Sequence, residues 1–378
     1  MRCPVCTKLY GGNSSESEIE IESENEECEV CEDIGINVRD LIDTMLEASL
    51  DYEFCTFSLG TKIYREIEER EKALGAEGKF KREINEVLRN AFEDASGKSY
   101  VSEGEELYFL VDSRFNWVKL TSRSVFIYGR YNKFSRELPQ TKKICTRCLG
   151  RGCYYCNGKG KLFDESVEEI IAQTFIKHFK AGSTKFHGMG REDIDVRMLG
   201  EGRPFVIELV EPKIRCVDLN ALENEVNVSD KVKIRDLGYS DFTEVVRIKS
   251  AKPDKVYVAE VVFDREVEER ELLRALAYLE NREVHQRTPL RVVMRRSDLV
   301  RIRRVKKVEL LEFSGIKAEI KIEAESGTYI KELIHGDKGR TVPSLSSLLS
   351  CECRVETLDV TKIEVMDTGG EYTKGKEE

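Results

Sequence analysis

The stretch "HGMGREDIDVRMLGEGRPF" (residues 187–205) holds two aspartates, Asp193 and Asp195, with glycines and arginines on both sides. It is too polar for a core strand and too rich in glycine for a stable helix. It reads either as a surface turn or as a backbone shaped to hold one carboxylate against a substrate. A positioned aspartate can act as a nucleophile or as a base. Composition alone does not rank the two.

The rest of the chain narrows the chemistry. There is no G-x-x-x-x-G-K-S/T loop, no G-x-G-x-x-G between a strand and a helix, and no H-E-x-x-H. ATP, dinucleotide and Rossmann-type methyl-donor chemistry are therefore disfavoured. Only four histidines occur, which leaves little room for a histidine triad or a histidine metal site. His178 reads as a packing or surface residue on a helix, while His187 and His335 flank the two most unusual segments.

Charge is distributed unevenly over a chain of 378 residues and net charge −10. Residues 13–30 carry eight glutamates and no base, as a solvated loop would. Residues 285–307, "HQRTPLRVVMRRSDLVRIRRVKK", carry nine Lys or Arg against one Asp. Such a local excess in an acidic protein suggests a phosphate-binding element built on two strands and their connection. No apolar run approaches the ~20 residues of a membrane span, and the N-terminus lacks an apolar signal core, so an intracellular, cytoplasmic protein is expected.

Of twelve cysteines, eight form four C-x-x-C pairs. In a reducing compartment that spacing favours metal over disulfide. Cys3 and Cys6 with Cys28 and Cys31 can supply four thiolates to a structural zinc ion, which would hold a segment too poor in apolar residues to fold alone. Cys145, Cys148, Cys153 and Cys156 form a second candidate zinc site, read as a clip between two domains. Around these, residues 37–52 have helical periodicity, 53–63 alternate like a strand, and 65–96 read as a helix interrupted near Gly75 and Gly78. Short strands follow, making a small α+β unit over 36–140. From 164 onward, strand-like segments mixed with a few helices read as a mostly antiparallel sheet with helices packed on it. The last twelve residues read as a disordered tail.

"GRED" followed by "IDV" resembles the Gly-Arg-x-Asp-x-x-Val loop of pseudouridine synthases. The longer string is similar to the archaeal-type branch that modifies uridines 54 and 55 of tRNA. "GRYNKFSRELPQT" (129–141), the cysteine clip, "RTPLRVVMRRSDLVRIRRV" and "SGTYIKELIHGD" (326–337) resemble the same family in the same order. "YEFCTFSLGT" resembles the start of its RNA-binding accessory domain, which contains a THUMP module. The first two cysteine knuckles stand closer together, around a more acidic stretch, than the family pattern.

The resemblance implies an α+β fold: a pseudouridine-synthase core preceded by a zinc- and THUMP-containing accessory domain. The expected organisation is a zinc-knuckle segment (1–35), a THUMP-containing domain (36–140), the second cysteine cluster (141–163), a catalytic domain (164–366) and a tail (367–378). It implies isomerisation of uridine 54, 55 or both in the TΨC arm, by a monomer, after the base is flipped from its stack and without organic cofactor. Asp193, directly after Gly-Arg-x, would be catalytic, and Asp195 would cap the turn or pair with Arg197. Lys331 would be the cation beside Asp193, with Arg191 as the alternative or as an aid to flipping. Tyr257 would stack on the flipped base, Tyr329 would lie beneath it, and Leu349 or a neighbour would floor the site. Arg287, Arg295 and Arg296 would grip phosphates at the tRNA elbow in a thumb-like loop.

Overall fold

The structure, a computed structural model, describes residues 38–364 apart from residues 74, 76, 113, 114 and 116 and the side chain of Arg295. The expectations for Cys3, Cys6, Cys28 and Cys31, for the acidic run and for the tail lie outside the described residues, as does that for the Arg295 side chain. The described residues divide into two compact units: those up to 124 with 179–183 and 209–216, and 125–178 with 184–208 and those from 217 onward.

In the smaller unit, α1 (Val38–Ser49) precedes β1 (Thr56–Lys62), then α2 (Arg65–Ala73), α3 (Lys79–Ser96), β2 (Ser99–Tyr100), β3 (Leu107–Asp112) and β4 (Trp117–Ser122). The strands form a sheet in the order β2-β1-β3-β4. β1 is parallel to both its neighbours, while β3 and β4 are antiparallel. Ile84, Leu88 and Phe92 recur at helical spacing on α3 and pack with Leu41, Ile42 and Met45 of α1 over the sheet. At the centre, the Phe92 ring meets Phe57 edge-on at 4.8 Å and Phe109 at 5.0 Å. The helical interruption expected near Gly75 and Gly78 is the break between α2 and α3.

The larger unit contains β5 (Val125–Lys133), α4 (Val167–Phe179), β6 (Ser183–Gly188), β7 (Val196–Val210), α5 (Leu219–Val226), β8 (Val232–Ser240), α6 (Phe242–Ser250), β9 (Lys255–Phe263), α7 (Glu269–Leu279), β10 (Arg282–Arg287), β11 (Val300–Phe313), β12 (Lys317–Ala324), α8 (Ile330–His335), β13 (Thr341–Val342), α9 (Leu345–Leu349) and β14 (Cys353–Ile363). Ten strands make one sheet, in the order β13-β10-β11-β12-β9-β14-β7-β5-β8, with β6 paired to β7. The pairings β13–β10, β10–β11, β11–β12, β12–β9, β9–β14 and β5–β8 are antiparallel, whereas β14 runs parallel to β7.

The domain boundary differs from the expected 140. β5 pairs with β8 from Phe126 to Lys133, so it belongs to the large sheet, and the larger unit begins at Val125. A string of short strands does not reveal in the sequence which sheet each one joins, because pairing is a long-range property. The cysteine clip at 145–156 lies wholly within the larger unit. It follows that unit's first strand and is not a junction between domains. No helix among the described residues is long and apolar enough to cross a membrane.

Candidate active site

The opening stretch supplies the end of β6, the loop of residues 189–195 and, against the expectation that it is too polar for a core strand, the first part of β7, where Val196, Met198, Arg203 and Phe205 are buried. The backbone of the loop is held from behind by buried donors. Gly190 has φ 78°, the left-handed region that glycine enters without penalty, and a Cβ there would press on the Arg203 guanidinium at 3.3 Å. Gln140 Nε2 donates to the Gly190 carbonyl at 3.0 Å, and Arg203 Nη1 donates to that of Met189 at 2.7 Å. Lys133, fully buried at the end of β5, donates Nζ to the carbonyls of Leu138 (2.9 Å), Asp193 (3.2 Å) and Ile194 (2.8 Å). Arg136 Nη1 donates to the Asp195 carbonyl at 3.1 Å. These bonds fix the path of the loop through its carbonyls, with Met189 and Glu192 turned inward and Asp193 left half-exposed.

Beneath the loop sits Glu192, whose side chain is 0% exposed. Arg203 Nε donates to it at 2.8 Å and the Tyr131 hydroxyl at 2.9 Å, while Gln140 Nε2 donates to that hydroxyl at 2.7 Å. A carboxylate this deeply buried is tolerable only with such partners. Burial holds the Tyr131 phenol well above its ordinary pKa, so it remains a neutral donor.

In front of the loop lies a cavity of about 420 Å³, within the range of roughly 300–1,000 Å³ usual for small-molecule sites. Arg191, Asp193, Tyr257, Arg291, Tyr329 and Lys331 reach it, with Val196, Ile330, Leu358 and Val360 as apolar wall. Arg291 Nη1 meets Asp193 Oδ2 at 2.8 Å, and its Nε meets the buried Glu332 of α8 at 2.7 Å. Lys331 Nζ meets Asp195 Oδ2 at 2.5 Å. Burial opposes ionisation of Asp195, but the Lys331 ammonium outweighs it and holds that carboxyl below the usual range. Tyr257 stands on β9 opposite Ile322 and Val360, and burial pushes its phenol up to about 12. Lys255, two residues earlier on the same strand face, also lines the cavity, and burial lowers its amine to about 8. Gln286 of β10 exchanges two bonds with the Tyr329 backbone, at 2.9 and 2.8 Å, and fixes that residue from below.

A family model described as "Pus10, C-terminal" matches residues 126–364. The tRNA pseudouridine synthase Pus10 of Archaeoglobus fulgidus is 41% identical over 341 residues, covering 89% of this chain and 95% of its relative. The chain belongs to the Pus10 family of tRNA pseudouridine synthases. Members from Thermoplasma acidophilum and Methanocaldococcus jannaschii are each 40% identical, over 91% and 92% of this chain and 85% and 77% of theirs. The larger unit is thus a pseudouridine-synthase core, and the protein is an isomerase of the Pus10 family.

Several residues singled out in the sequence meet in the Pus10 cavity: Asp193, Arg191, Tyr257, Tyr329, Lys331 and Arg296. Their pairing differs from expectation. Lys331 pairs with Asp195, and the cation on Asp193 is Arg291. Arg197 forms two bonds to Asp359 of β14, at 3.0 and 2.5 Å, which leaves Asp195 to Lys331. Leu349 does not floor the cavity: it is buried in α9 and its carbonyl accepts from Arg265 at 2.6 Å. Arg287 and Arg296 flank the thumb-like connection between β10 and β11, Arg287 paired with Asp298 at 2.8 Å and Arg296 donating to the Tyr329 hydroxyl at 3.0 Å. The histidines stand apart: His178 faces Glu225 and His187 faces Glu208, while His335 Nδ1 accepts from the Asp337 backbone.

The second cysteine cluster fits a metal. All four sulfurs lie within 4.8 Å of one another, with Sγ···Sγ separations of 3.9 Å (Cys145–Cys153), 3.8 Å (Cys148–Cys156) and 3.7 Å (Cys153–Cys156). Zinc–sulfur bonds of about 2.3 Å in a tetrahedron require S···S edges of roughly 3.8 Å. Backbone N–H groups of Gly152 and Gly160 donate to Cys148 and Cys156 at 3.2 Å each, as expected around thiolates. Cys145, Cys148, Cys153 and Cys156 can therefore hold a tetrahedral ion such as zinc, whose role there would be to fix the fold of the knuckle.

Three outcomes are expected. Glu192→Ala strands the Arg203 charge and should destabilise the larger unit by about 3–5 kcal/mol in denaturant unfolding, whereas a loss below about 1 kcal/mol would show the pair to be dispensable. Cys148→Ser should lower the metal content of the full chain by one ion, measured by elemental analysis, and an unchanged content would rule out the site. Lys255 should be acylated at pH 8 well ahead of exposed lysines, because about half of its amine is free where its pKa equals the pH. Peptide mapping that finds it no faster than surface lysines would contradict the lowered value.

Proposed function

We propose that this chain isomerises uridine 54, uridine 55 or both in the TΨC arm of tRNA, as a cytoplasmic monomer, with Asp193 as the catalytic carboxylate. The observation that carries the choice is that Asp193 lines the cavity beside Tyr257 and Arg291, while Asp195 is tied to Lys331 at its edge. The isomerisation breaks C1′–N1, forms C1′–C5 and moves a proton from C5 to N1, so no oxidant, energy source or organic cofactor enters. Whether the carboxylate adds to the substrate or draws a proton from the ribose on the way to a glycal, it would act as an anion, and Arg291 Nη1 stands 2.8 Å from its Oδ2 as the paired cation.

Reaching the glycosidic bond requires the uridine to leave its stack. Tyr257 would then face the flipped base as a neutral ring, with Tyr329 beneath, and Arg191 would help to hold the everted nucleotide. Stacking of this kind contributes about 1–3 kcal/mol per base. Arg287, Arg295 and Arg296 of the thumb-like connection would contact phosphates. The smaller unit would act as the THUMP-containing RNA-binding domain, and Cys3, Cys6, Cys28 and Cys31 would hold a structural zinc, with a second zinc on the 145–156 cluster.

On an unmodified tRNA transcript, Asp193→Asn should lower pseudouridine formation at least about a hundredfold while tRNA binding persists. Arg291→Ala should cut kcat by roughly tenfold or more, and Asp195→Asn should keep measurable activity. Modification mapping of the product also reads out position 54 against 55. Full turnover by Asp193→Asn would overturn the assignment.

A further inference from the structure

The cysteine cluster is more than a clip. Residues 145–160 read C-x-x-C-x-G-x-G twice in succession, "CTRCLGRG" and "CYYCNGKG". The backbone follows that repeat: Leu149 and Asn157, Gly150 and Gly158, and Gly152 and Gly160 all have positive φ. The two halves touch, since a Cβ on Gly152 would lie 2.5 Å from the Gly158 carbonyl oxygen. Knuckle and base are closed by the Ile144–Lys161 bridge and by the Cys145 N–H to Gly160 bond at 2.9 Å.

Four sulfurs and close-packed glycines leave the knuckle no apolar core of its own, so its other side chains point outward. Residues 142–161 hold six Lys or Arg and no Asp or Glu. Four thiolates around a divalent ion carry two negative charges, fewer than the six positive ones. Lys159 and Lys161 are taken by Asp164 and Glu169, but Arg147 and Arg151 are exposed without an ion pair among the described residues. Beside them, Tyr154 is 99% exposed and Tyr155 lies under the Arg147 guanidinium, 4.1 Å from the ring centroid. Arg147 and Tyr155 occupy equivalent places in the two half-repeats, so the repeat itself creates this stacked pair. A bare aromatic ring and a planar cation, on a tightly closed scaffold that a metal ion would stiffen further and with positive charge around it, are the groups that take unpaired bases and their phosphates.

We propose that the 145–156 knuckle is a second RNA-binding site, stacking an unpaired nucleotide of the bound tRNA on Tyr154 and pairing the adjoining phosphates with Arg147 and Arg151. It rests on the reading of tRNA as substrate, and it adds a contact distinct from the cavity and from the thumb-like connection. The scaffold reaches the catalytic loop through a short covalent path. Gln140, which donates to the Gly190 carbonyl, stands five residues before Cys145 in the same compact unit.

The test uses the full chain with Tyr154→Ala and Arg151→Ser combined. tRNA affinity is expected to fall roughly tenfold or more, with a shallower dependence of Kd on salt, while kcat at saturating tRNA and metal content are unchanged. Tyr154→Trp should bind like the wild type, because stacking needs a ring and not a hydroxyl. Equal Kd for the double variant and the wild type, with the metal retained, would overturn the site and leave an exposed face for some other partner. The control separates this from failure of the enzymatic reading: wild-type protein that forms no pseudouridine refutes the latter, whereas an active wild type with an unaffected variant refutes only the knuckle. A variant that loses metal is replaced by Arg147→Ser alone, for which unchanged affinity is equally adverse.

Discussion

The Glu192–Arg203 pair is the interaction on which the rest of the site depends. Both side chains are almost wholly removed from water, and each would be untenable there without the other. Their bond joins the catalytic loop to β7, the strand that leaves it. Tyr131 brings in β5, and Gln140 ties the segment after β5 to the loop at Gly190. A loop of polar residues and glycine would otherwise sample many conformations, at about 1–2 kcal/mol per residue to fix. Here the cost is offset by charge-assisted bonds made in a dry interior, where they are stronger than at the surface. Asp193 thus stands on a backbone whose position is set from below, as the proposed single-carboxylate chemistry would require.

Above that base, the two aspartates of the loop are served by different cations. Arg291 bridges Asp193 and Glu332, and Lys331 serves Asp195. The bridge has a mechanical consequence. Arg291 belongs to the connection between β10 and β11, so that connection is drawn onto the cavity by the same guanidinium that keeps Asp193 paired. Any movement of the thumb-like segment alters the charge environment of the reactive carboxylate. On the proposed reading, RNA contacts on Arg287 and Arg296 and the state of Asp193 would be physically coupled through Arg291.

Much of this was legible in the sequence, and the rest was hidden for identifiable reasons. Helix and strand periodicities located α1, β1, α3 and the thumb-like pair of strands. The motifs also pointed to residues that line one cavity, Arg191, Asp193, Tyr257, Tyr329 and Lys331, although they lie far apart in the chain. Lys255 and Tyr257, two apart on a strand, share a face by simple alternation, so Lys255 could have been found beside its tyrosine. Arg291 could not: it is one of nine cations in a short run, and nothing local distinguishes the one that turns inward. Lys331 was matched to the wrong aspartate because a motif specifies proximity to a loop, not which of two carboxylates lies within 3 Å. Glu192 and Lys133 look like surface residues in a polar string. Their burial follows from long-range contacts: Glu192 meets Arg203 of β7 and Tyr131 of β5, and Lys133 of β5 reaches the carbonyls of Asp193 and Ile194.

Net charge was the least informative property of the chain. At −10 it argues against an RNA partner, yet the groups facing the cavity, the thumb-like connection and the knuckle are predominantly basic. Screening resolves the conflict. At physiological ionic strength the Debye length is about 8 Å, so a phosphate near Arg296 or Arg151 is governed by its immediate neighbours and hardly at all by glutamates elsewhere. The acidic remainder disfavours nonspecific adhesion to polyanions, while the local basic patches restore attraction where an RNA of the right shape can reach several of them together. Specificity then depends on geometry more than on total attraction. On the proposed reading, a substrate would present a phosphate run to the thumb-like connection and a uridine able to leave its stack above Asp193, and an acidic surface elsewhere would penalise any RNA that cannot do both.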